Sequence, residues 1–415
     1  MYRAPRGTQD ILPQEQPYWR YAEQKAAEIC RLYGYERIDL PMFEDASLFT
    51  RGVGEGTDIV EKEMYVFEDR GGNSLALRPE GTASVCRAYI EHGMHNRPQP
   101  VKLYYIGPAF RYERPQAGRY RQHGHFGCEA LGDADPALDA EVIDMAWQFF
   151  VSLGLYRFTI VLNSIGCRNC RPEYLSKLKE HYSPHIDEVC ADCKVRFEKN
   201  PMRLLDCKNP QCQPIADTAP KSTDYLCSEC TEHYNDVKRH LRNLEIPSKE
   251  NRRLVRGFDY YTRTVFEVQP EVGGSQSALG GGGRYDILIE EIGGKPAPGI
   301  GFATGIERII LGLQSENIPV PPVPGPQLFV AYLGDEAREA AMKLATTLRH
   351  NGTAVITATG SRSLKSQLRQ ANNLNIPQVA IIGEDEVKTG TVVLRDMTTA
   401  QQERIPADKL PDLLR

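Results

Sequence analysis

Long hydrophobic runs are missing from this 415-residue sequence. No apolar stretch approaches the roughly 18 residues that a membrane-spanning helix requires. The opening residues, MYRAPRGTQDILPQEQPYW, contain no apolar segment of the kind a secretion signal uses, so a cytoplasmic location with no membrane attachment is expected. An excess of positive charge is missing too. With 50 Lys and Arg against 55 Asp and Glu, the formal net charge is −5 and the pI is about 6.1. That excludes a generally basic nucleic-acid coat and leaves room for a local basic groove. The common nucleotide-binding loops are absent as well: no glycine-rich loop ends in GK[ST], and no G-x-G-x-x-G opens a βαβ unit with an acid downstream. If phosphates bind, arginine must hold them. Cysteine is sparse outside one window, since eight of the 11 lie between Cys167 and Cys230. In a cytosolic chain those eight are not a disulfide framework.

What is present is positive charge in one place. The stretch FRYERPQAGRYRQHGHFGCE, Phe110 to Glu129, gathers four arginines and two histidines with two glutamates. Around it the pattern alternates strand and helix. Residues 17 to 33 carry apolar positions at helical spacing, with Gly34 placed as a stop, and YERIDLP reads as a strand ending at Pro41. LALRPEGTASVCRAYIEHG reads as a strand or turn followed by a helix. VKLYYIGPAFRYE and GHFGCEALG read as the two arms of a long hairpin. Pleat alternation predicts that Arg111 and Glu113 share its charged face. LVRGFDYYTRTVFEV is strand-like, GGSQSALGGGGRYD is turn-rich, and the glycines at 273 to 283 predict a flexible hairpin rather than a phosphate cradle. GIGFATGIERIILGL gives a strand, a glycine turn and a helix.

Length predicts two or three domains. Residues 1–166 and 246–317 form the expected core, and 167–245, with cysteine pairs between polar helical segments, reads as an insertion. The proline-rich, nearly uncharged 318–326 is an extended linker. Beyond it, 327–415 alternates strand with helix as a small α/β domain.

Four separated segments each offer charged or polar groups: Arg78-Pro-Glu80-Gly-Thr82, the hairpin, Arg256 with Tyr260 and Tyr261, and Glu307-Arg308. Guanidinium suits a polyphosphate because it is always charged and matches oxygen pairs in a fork. Any one such arginine is more often a solvated or ion-paired surface group; it is their joint occurrence that carries weight.

Taken together, FRYERPQAGRYRQ…GCE, LRPEGTA, LVRGFDYYTRTVFEV and PGIGFATGIERIILGL resemble the histidyl-tRNA synthetase family of class II aminoacyl-tRNA synthetases. The likeness runs over nearly the whole chain in the family's order. It implies an α+β catalytic domain, with a mixed, mostly antiparallel sheet and flanking helices, and a C-terminal α/β anticodon-binding domain. The implied activity is ATP-dependent attachment of L-histidine to tRNA(His) through a histidyl-adenylate, by a homodimer, with Mg²⁺ accompanying ATP. The resemblance gives Arg111 and Arg256 the α-phosphate and the catalytic role. It gives Arg308 the γ-phosphate with Arg119 helping, and places Glu113 and His123 at the ATP site. Glu80, Gly81, Thr82 and His125 would surround the histidine ammonium. Glu129 and Tyr261 would bond the imidazole, with Tyr260 and Tyr285 closing the pocket. On position and charge, Gln116 to Arg121 in the hairpin loop are the candidates to face the tRNA acceptor end.

The sequence departs from the family where Phe-His-Gln is usual and His123-Gly124-His125 stands instead. His123 still offers a planar ring for stacking, while His125, if protonated, would repel an ammonium; weaker or more pH-sensitive substrate binding is expected. A non-catalytic histidine-sensing paralogue, such as the regulatory subunit of ATP phosphoribosyltransferase, is the rival reading. It generally lacks the anticodon domain, which this chain has. The pairs Cys167/Cys170, Cys190/Cys193, Cys207/Cys212 and Cys227/Cys230 have spacings at which thiolates share Zn²⁺, and eight ligands suit two structural Cys₄ sites. How the pairs combine stays open, and the insertion that carries them is expected to contact the tRNA acceptor arm.

Overall fold

Helix α1 (Gln16–Leu32) buries Trp19, Ala22, Ala26 and Ile29, spaced by three and four residues along one face. Gly34, at φ +76°, turns the chain out of it. The computed structural model describes residues 2–54, 57–271 and 278–414. By backbone contacts it divides into two units, Met1–Pro321 and Pro322–Arg415.

The strands of the first unit are β1 (Glu36–Arg37), β2 (Phe43–Asp45), β3 (Tyr65–Glu68), β4 (Ser74–Leu77), β5 (Val101–Phe110), β6 (Gln122–Leu131), β7 (Phe158–Ser164), β8 (Ser248–Glu250), β9 (Thr262–Pro270), β10 (Gly280–Arg284) and β11 (Gly299–Gly305). Eight of them make one sheet in the order β1-β5-β6-β11-β10-β9-β7-β8, and β2-β4-β3 make a small second sheet. Pairing is parallel only at the two edges, β1 with β5 and β7 with β8. The large sheet is therefore mixed and mostly antiparallel, as expected.

After α1, the helices are α2 (Ala46–Val53), α3 (Thr82–Glu91), α4 (Pro136–Ser152), α5 (Arg171–Tyr182), α6 (Ala191–Lys199), α7 (Gln213–Thr218), α8 (Ser228–Asn243), α9 (Leu288–Glu291) and α10 (Ile306–Ser315). Helices α5 to α8 lie in the cysteine-rich segment between β7 and β8. That segment shares one buried cluster with the sheet: Tyr174, Leu178, Cys193 and Leu204 pack in the same core as Tyr260, Tyr261, Val265 and Tyr285. A second tie is polar. Asp139 of α4 receives hydrogen bonds from Arg284 Nε of β10, at 2.8 Å, and pairs with His233 Nε2 of α8, also at 2.8 Å. All three side chains are buried, where losing one partner of such a group costs about 3 to 5 kcal/mol.

Four expectations need correction. YERIDLP yields only the two-residue β1, with the remainder of the segment leading toward β2. Hairpin strand β5 stops at Phe110, so Arg111 and Glu113 lie just beyond the pleat. The chain turns there through Glu113 N–H donating to Arg111 O at 2.8 Å, and the turn still brings the two side chains within 3.8 Å. LVRGFDYY is a loop rather than a strand. It is aromatic because it packs, with Phe258 stacked on Tyr260 at 5.1 Å. Finally, Gly280–Gly283 form a central strand between β9 and β11. The glycines answer to close approach: a Cβ on Gly282 would sit 1.9 Å from Gly301 O, and one on Gly281 would sit 2.8 Å from the Arg256 guanidinium. Gly273 and Gly274 lie outside the described residues.

The second unit holds β12 (Leu328–Tyr332), α11 (Asp335–His350), β13 (Val355–Thr357), α12 (Leu364–Asn373), β14 (Gln378–Ile382), α13 (Glu384–Thr389), β15 (Thr391–Asp396) and β16 (Gln402–Pro406). Its sheet runs β13-β12-β14-β15-β16. The first three strands are parallel and the last two antiparallel, so the α/β character expected from the alternation is present. No described helix of either unit is long and apolar enough to cross a membrane.

Candidate active site

A cleft of about 1080 Å³ opens on the face of the large sheet, with the insertion forming part of its wall through Cys190, Arg203 and Cys207. Arg111, Glu113, Arg119, His123, His125, Arg256, Arg308, Glu80, Thr82, Tyr260 and Tyr261 all line it. Residues from five distant segments thus meet in one place.

The arginines are held by the protein with part of each fork left over. Arg111 Nε donates to Pro79 O at 2.8 Å, and its guanidinium lies 5.5 Å above the Phe258 ring. Arg119 reaches Glu113 at 3.4 Å, so Glu113 sits between two guanidinium groups. Arg256 Nη1 donates to Glu267 at 2.6 Å, and Glu267 also accepts from Gln269 Nε2 at 2.9 Å. Arg308 donates to Ala278 O. Burial pulls the Arg308 pKa down, and Arg119 and Arg111 nearby act in the same direction. The cleft is therefore a concentration of like charge with too few counterions, which an anion would relieve.

Behind the wall is a second, enclosed cluster. Glu129 of β6 is 1% exposed. It accepts from Thr82 Oγ1 at 2.7 Å, from the Tyr285 hydroxyl, and from the Tyr105 hydroxyl at 3.4 Å. A Cβ on Gly301 would lie 1.8 Å from its Oε2, so β11 passes close enough only because glycine stands there. Burial pushes the Glu129 carboxyl up to about 8, although the Tyr285 and Thr82 hydroxyls work against the shift. Glu80 is spent partly on structure: its carboxylate accepts from the backbone N–H groups of Thr82, at 2.5 Å, and Ala83, at 2.8 Å, at the start of α3. Gly81 packs flat on Tyr105, where a Cβ would fall 2.3 Å from the ring. Neither Gly81, Glu129 nor Tyr285 lines the cleft. Tyr260 links the two regions, edge-on to Tyr285 at 5.7 Å and 4.7 Å from Tyr261.

Arg78, in the same motif as Glu80, is a strut. It donates to Pro108 O and Leu40 O, both at 2.8 Å, and tethers the segment before α3 to the hairpin.

The His123-Gly124-His125 stretch has a packing reason at its centre. A Cβ on Gly124 would sit 2.6 Å from the Trp19 ring, and Gly124 N–H donates to Glu307 Oε1 at 2.9 Å. Trp19 and α10 therefore occupy the room a larger residue would need. Both imidazoles are held neutral. Burial lowers the His123 pKa to about 3, with Arg111 and Arg308 adding to it, and burial takes His125 well below the ordinary histidine range. A charged His125 repelling an ammonium near neutral pH does not occur.

Sequence reasoning passes over Phe258, Glu267 and Arg171. Phe258 and Glu267 stand inside the quoted LVRGFDYYTRTVFEV, so the motif itself is the signal. Arg171, whose guanidinium donates to Tyr261 O, has no signal beyond following Cys170.

A histidyl-tRNA synthetase family model matches residues 7–170 and 174–309, and an anticodon-binding domain model matches 327–415. The histidine–tRNA ligase of Dehalococcoides mccartyi is 58% identical over 410 residues, which cover 99% of this chain and 98% of the relative. That of Desulforamulus reducens is 49% identical over 406 residues, covering 98% and 97%. The crystal structure of apo S. aureus histidyl-tRNA synthetase superposes with a TM-score of 0.84 at 41% identity, over 100% of both chains. A Bacillus halodurans structure described as an ATP phosphoribosyltransferase regulatory subunit/histidyl-tRNA synthetase shares the fold, with a TM-score of 0.63 at 22% identity over 92% of this chain and 98% of that one.

Proposed function

Because the chain belongs to the histidyl-tRNA synthetase family, we propose that its cleft joins ATP to histidine and that the enclosed Glu129 cluster selects the amino acid. The chain is an aminoacyl-tRNA ligase that charges tRNA(His) with histidine. The regulatory-paralogue reading falls away, since ligases are the relatives it matches at high identity over full length.

The observation that carries the residue assignments is the meeting of Arg111, Arg119, Arg256 and Arg308 on one cleft. The histidine carboxylate attacks the α-phosphorus in line, forming a carboxyl–phosphate bond as the bond to pyrophosphate breaks. No protein nucleophile is required; alignment of two anions and relief of developing charge are what the site must provide. Arg111 and Arg256 approach the α-phosphate from the hairpin side and from the opposite side. Arg308 and Arg119 hold the γ-phosphate, and His123 offers its ring to adenine. Mg²⁺ accompanying ATP would neutralise phosphate charge, and Glu113 and Glu267, the carboxylates beside the arginines, would hold it. The terminal adenosine hydroxyl of tRNA then attacks the activated carbonyl carbon and displaces AMP, whose phosphate takes the proton. The second unit binds the anticodon, Gln116 to Arg121 face the acceptor end, and the enzyme acts as a cytoplasmic homodimer. The insertion's cysteines hold structural zinc.

For the imidazole, Glu129 is the partner, with Tyr261 beside it and Tyr260 and Tyr285 closing the pocket. Since Glu129 does not line the cleft, Tyr260 and Tyr261 shift as histidine enters. Glu80, Thr82 and neutral His125 stand where the ammonium would lie. His125 supplies a ring nitrogen as acceptor.

A pH dependence tests these roles. With its carboxyl at about 8, the empty pocket carries one proton on Glu129 at neutral pH, and free imidazole, with a pKa of about 6.5, carries none. The bound pair also shares one proton. Histidine affinity is therefore expected to be level between pH about 6.5 and about 8. Above that window a proton must be taken up, and below it one must be expelled, so the dissociation constant rises by about tenfold per pH unit on either side. His123 and His125 stay neutral throughout and add nothing. Calorimetric titration of histidine from pH 5.5 to 9 would check this, and a tenfold change inside the level window would sink the assignment of Glu129.

A further inference from the structure

The eight insertion cysteines gather into two nested groups, an outer one of Cys167, Cys170, Cys227 and Cys230 and an inner one of Cys190, Cys193, Cys207 and Cys212. Within each, the four sulfurs lie within 4.8 Å of one another. Individual separations are 3.6 Å for Cys167 to Cys170, 3.9 Å for Cys167 to Cys227, 3.8 Å for Cys170 to Cys230, and 3.8 Å for Cys190 to Cys207. Four thiolates on one tetrahedral ion with metal–sulfur bonds of about 2.3 Å stand about 3.8 Å apart. Sulfurs in a disulfide are about 2.0 Å apart. The spacing is that of ligands sharing an ion.

Backbone groups point the same way. Cys167 N–H donates to Cys170 Sγ at 3.1 Å, Asn169 N–H to Cys167 Sγ at 3.4 Å, and Cys190 N–H to Cys212 Sγ at 3.3 Å. Such N–H groups stabilise thiolate.

The outer group closes the base of the insertion, and residues flanking it bond the backbone of Tyr261 and Arg263, beside the proposed histidine pocket. Gly166, one residue before Cys167, accepts from Arg263 N–H at 2.9 Å, and Ile165 N–H donates to Arg263 O at 2.8 Å. Arg171, one residue after Cys170, donates to Tyr261 O. Arg263 sits at φ +50°, unusual for a residue with a side chain, so the corner after Tyr261 needs support from outside. The structure assigns two zinc ions to the insertion, the outer of which, through Arg171, holds the Tyr261 wall of the histidine pocket. This inference rests on the reading of that pocket as the histidine site; Arg171 is a positioning residue and touches no substrate.

Elemental analysis of the full chain, purified without chelator, is expected to give two zinc ions per chain. The Cys227→Ser/Cys230→Ser and Cys207→Ser/Cys212→Ser variants are expected to give one each. Arg171→Ala leaves every ligand in place and should keep both ions. It is expected to raise the KM for histidine about tenfold in pyrophosphate exchange while the KM for ATP stays within about twofold, and Arg171→Lys should recover part of the loss. Fewer than two zinc ions in the parent chain, or the cysteines recovered as disulfides, would overturn the metal sites. A histidine KM unmoved in Arg171→Ala, or both KM values raised alike, would overturn the strut. The metal count needs no activity: two zinc ions in a chain that activates no histidine would overturn the pocket reading, and the strut with it, and leave the metal sites in place.

Discussion

Arg256→Ala is expected to lower the rate of histidine-dependent pyrophosphate exchange about a thousandfold while the chain remains folded. Removing one preorganised donor from developing transition-state charge costs about 10² to 10³ in kcat. The upper end applies here because the substitution also strands Glu267, which Arg256 holds at 2.6 Å. With Gln269 as its remaining donor and no cation paired to it, the carboxylate adds repulsion to the lost attraction. Arg256→Lys should fall between the two, since an ammonium restores charge but not the fork. Saturating kinetics check this, with the urea midpoint as the control for folding. A loss confined to the KM for ATP would mean that Arg256 binds the ground state only.

The second large effect is on selection. Glu129→Gln keeps the volume and one of the two oxygens that accept from Thr82 and Tyr285, yet removes the carboxyl group proposed to pair with imidazole. Truncating one partner of a buried, hydrogen-bonded charge pair costs about 2 to 5 kcal/mol. Histidine affinity should therefore fall about a thousandfold, and ATP affinity should stay put because Glu129 does not line the phosphate side of the cleft. Equilibrium titration with each ligand separates the two. An unchanged histidine affinity would place the imidazole elsewhere.

Much of this site is legible in the sequence because the residue types are dictated by chemistry. Polyphosphate calls for arginine, and the absence of the usual glycine loops sharpens that demand. The hairpin and the strand-turn-helix at 299–315 also follow from local pattern. Local pattern fails where long-range packing decides. Gly280–Gly283 look like a turn, and become a central strand because β9, β11 and Arg256 crowd them too closely for any side chain. LVRGFDYY has strand composition, but its aromatic rings stack among themselves and on Arg111 instead of pairing in the sheet. Charge at His125 follows from the value for an exposed imidazole, and burial cancels it. The nested pairing of the cysteines joins residues 60 positions apart in the outer group, a distance over which no spacing rule reaches.

Geometry also changes what the pocket is expected to do. Glu129 accepts from three hydroxyl groups and does not line the cleft, whereas Thr82, Tyr260 and Tyr261 do. On the proposed reading selection involves opening as well as fit, and the bond from Arg171 to Tyr261 O then bears directly on histidine affinity.

The most direct test of the proposed chemistry is amino-acid-dependent exchange of label between pyrophosphate and ATP, run on the purified chain with each amino acid in turn. Exchange supported by histidine alone and largely lost in Arg256→Ala is the predicted result. Exchange that did not depend on histidine, or that persisted at full rate in Arg256→Ala, would contradict it.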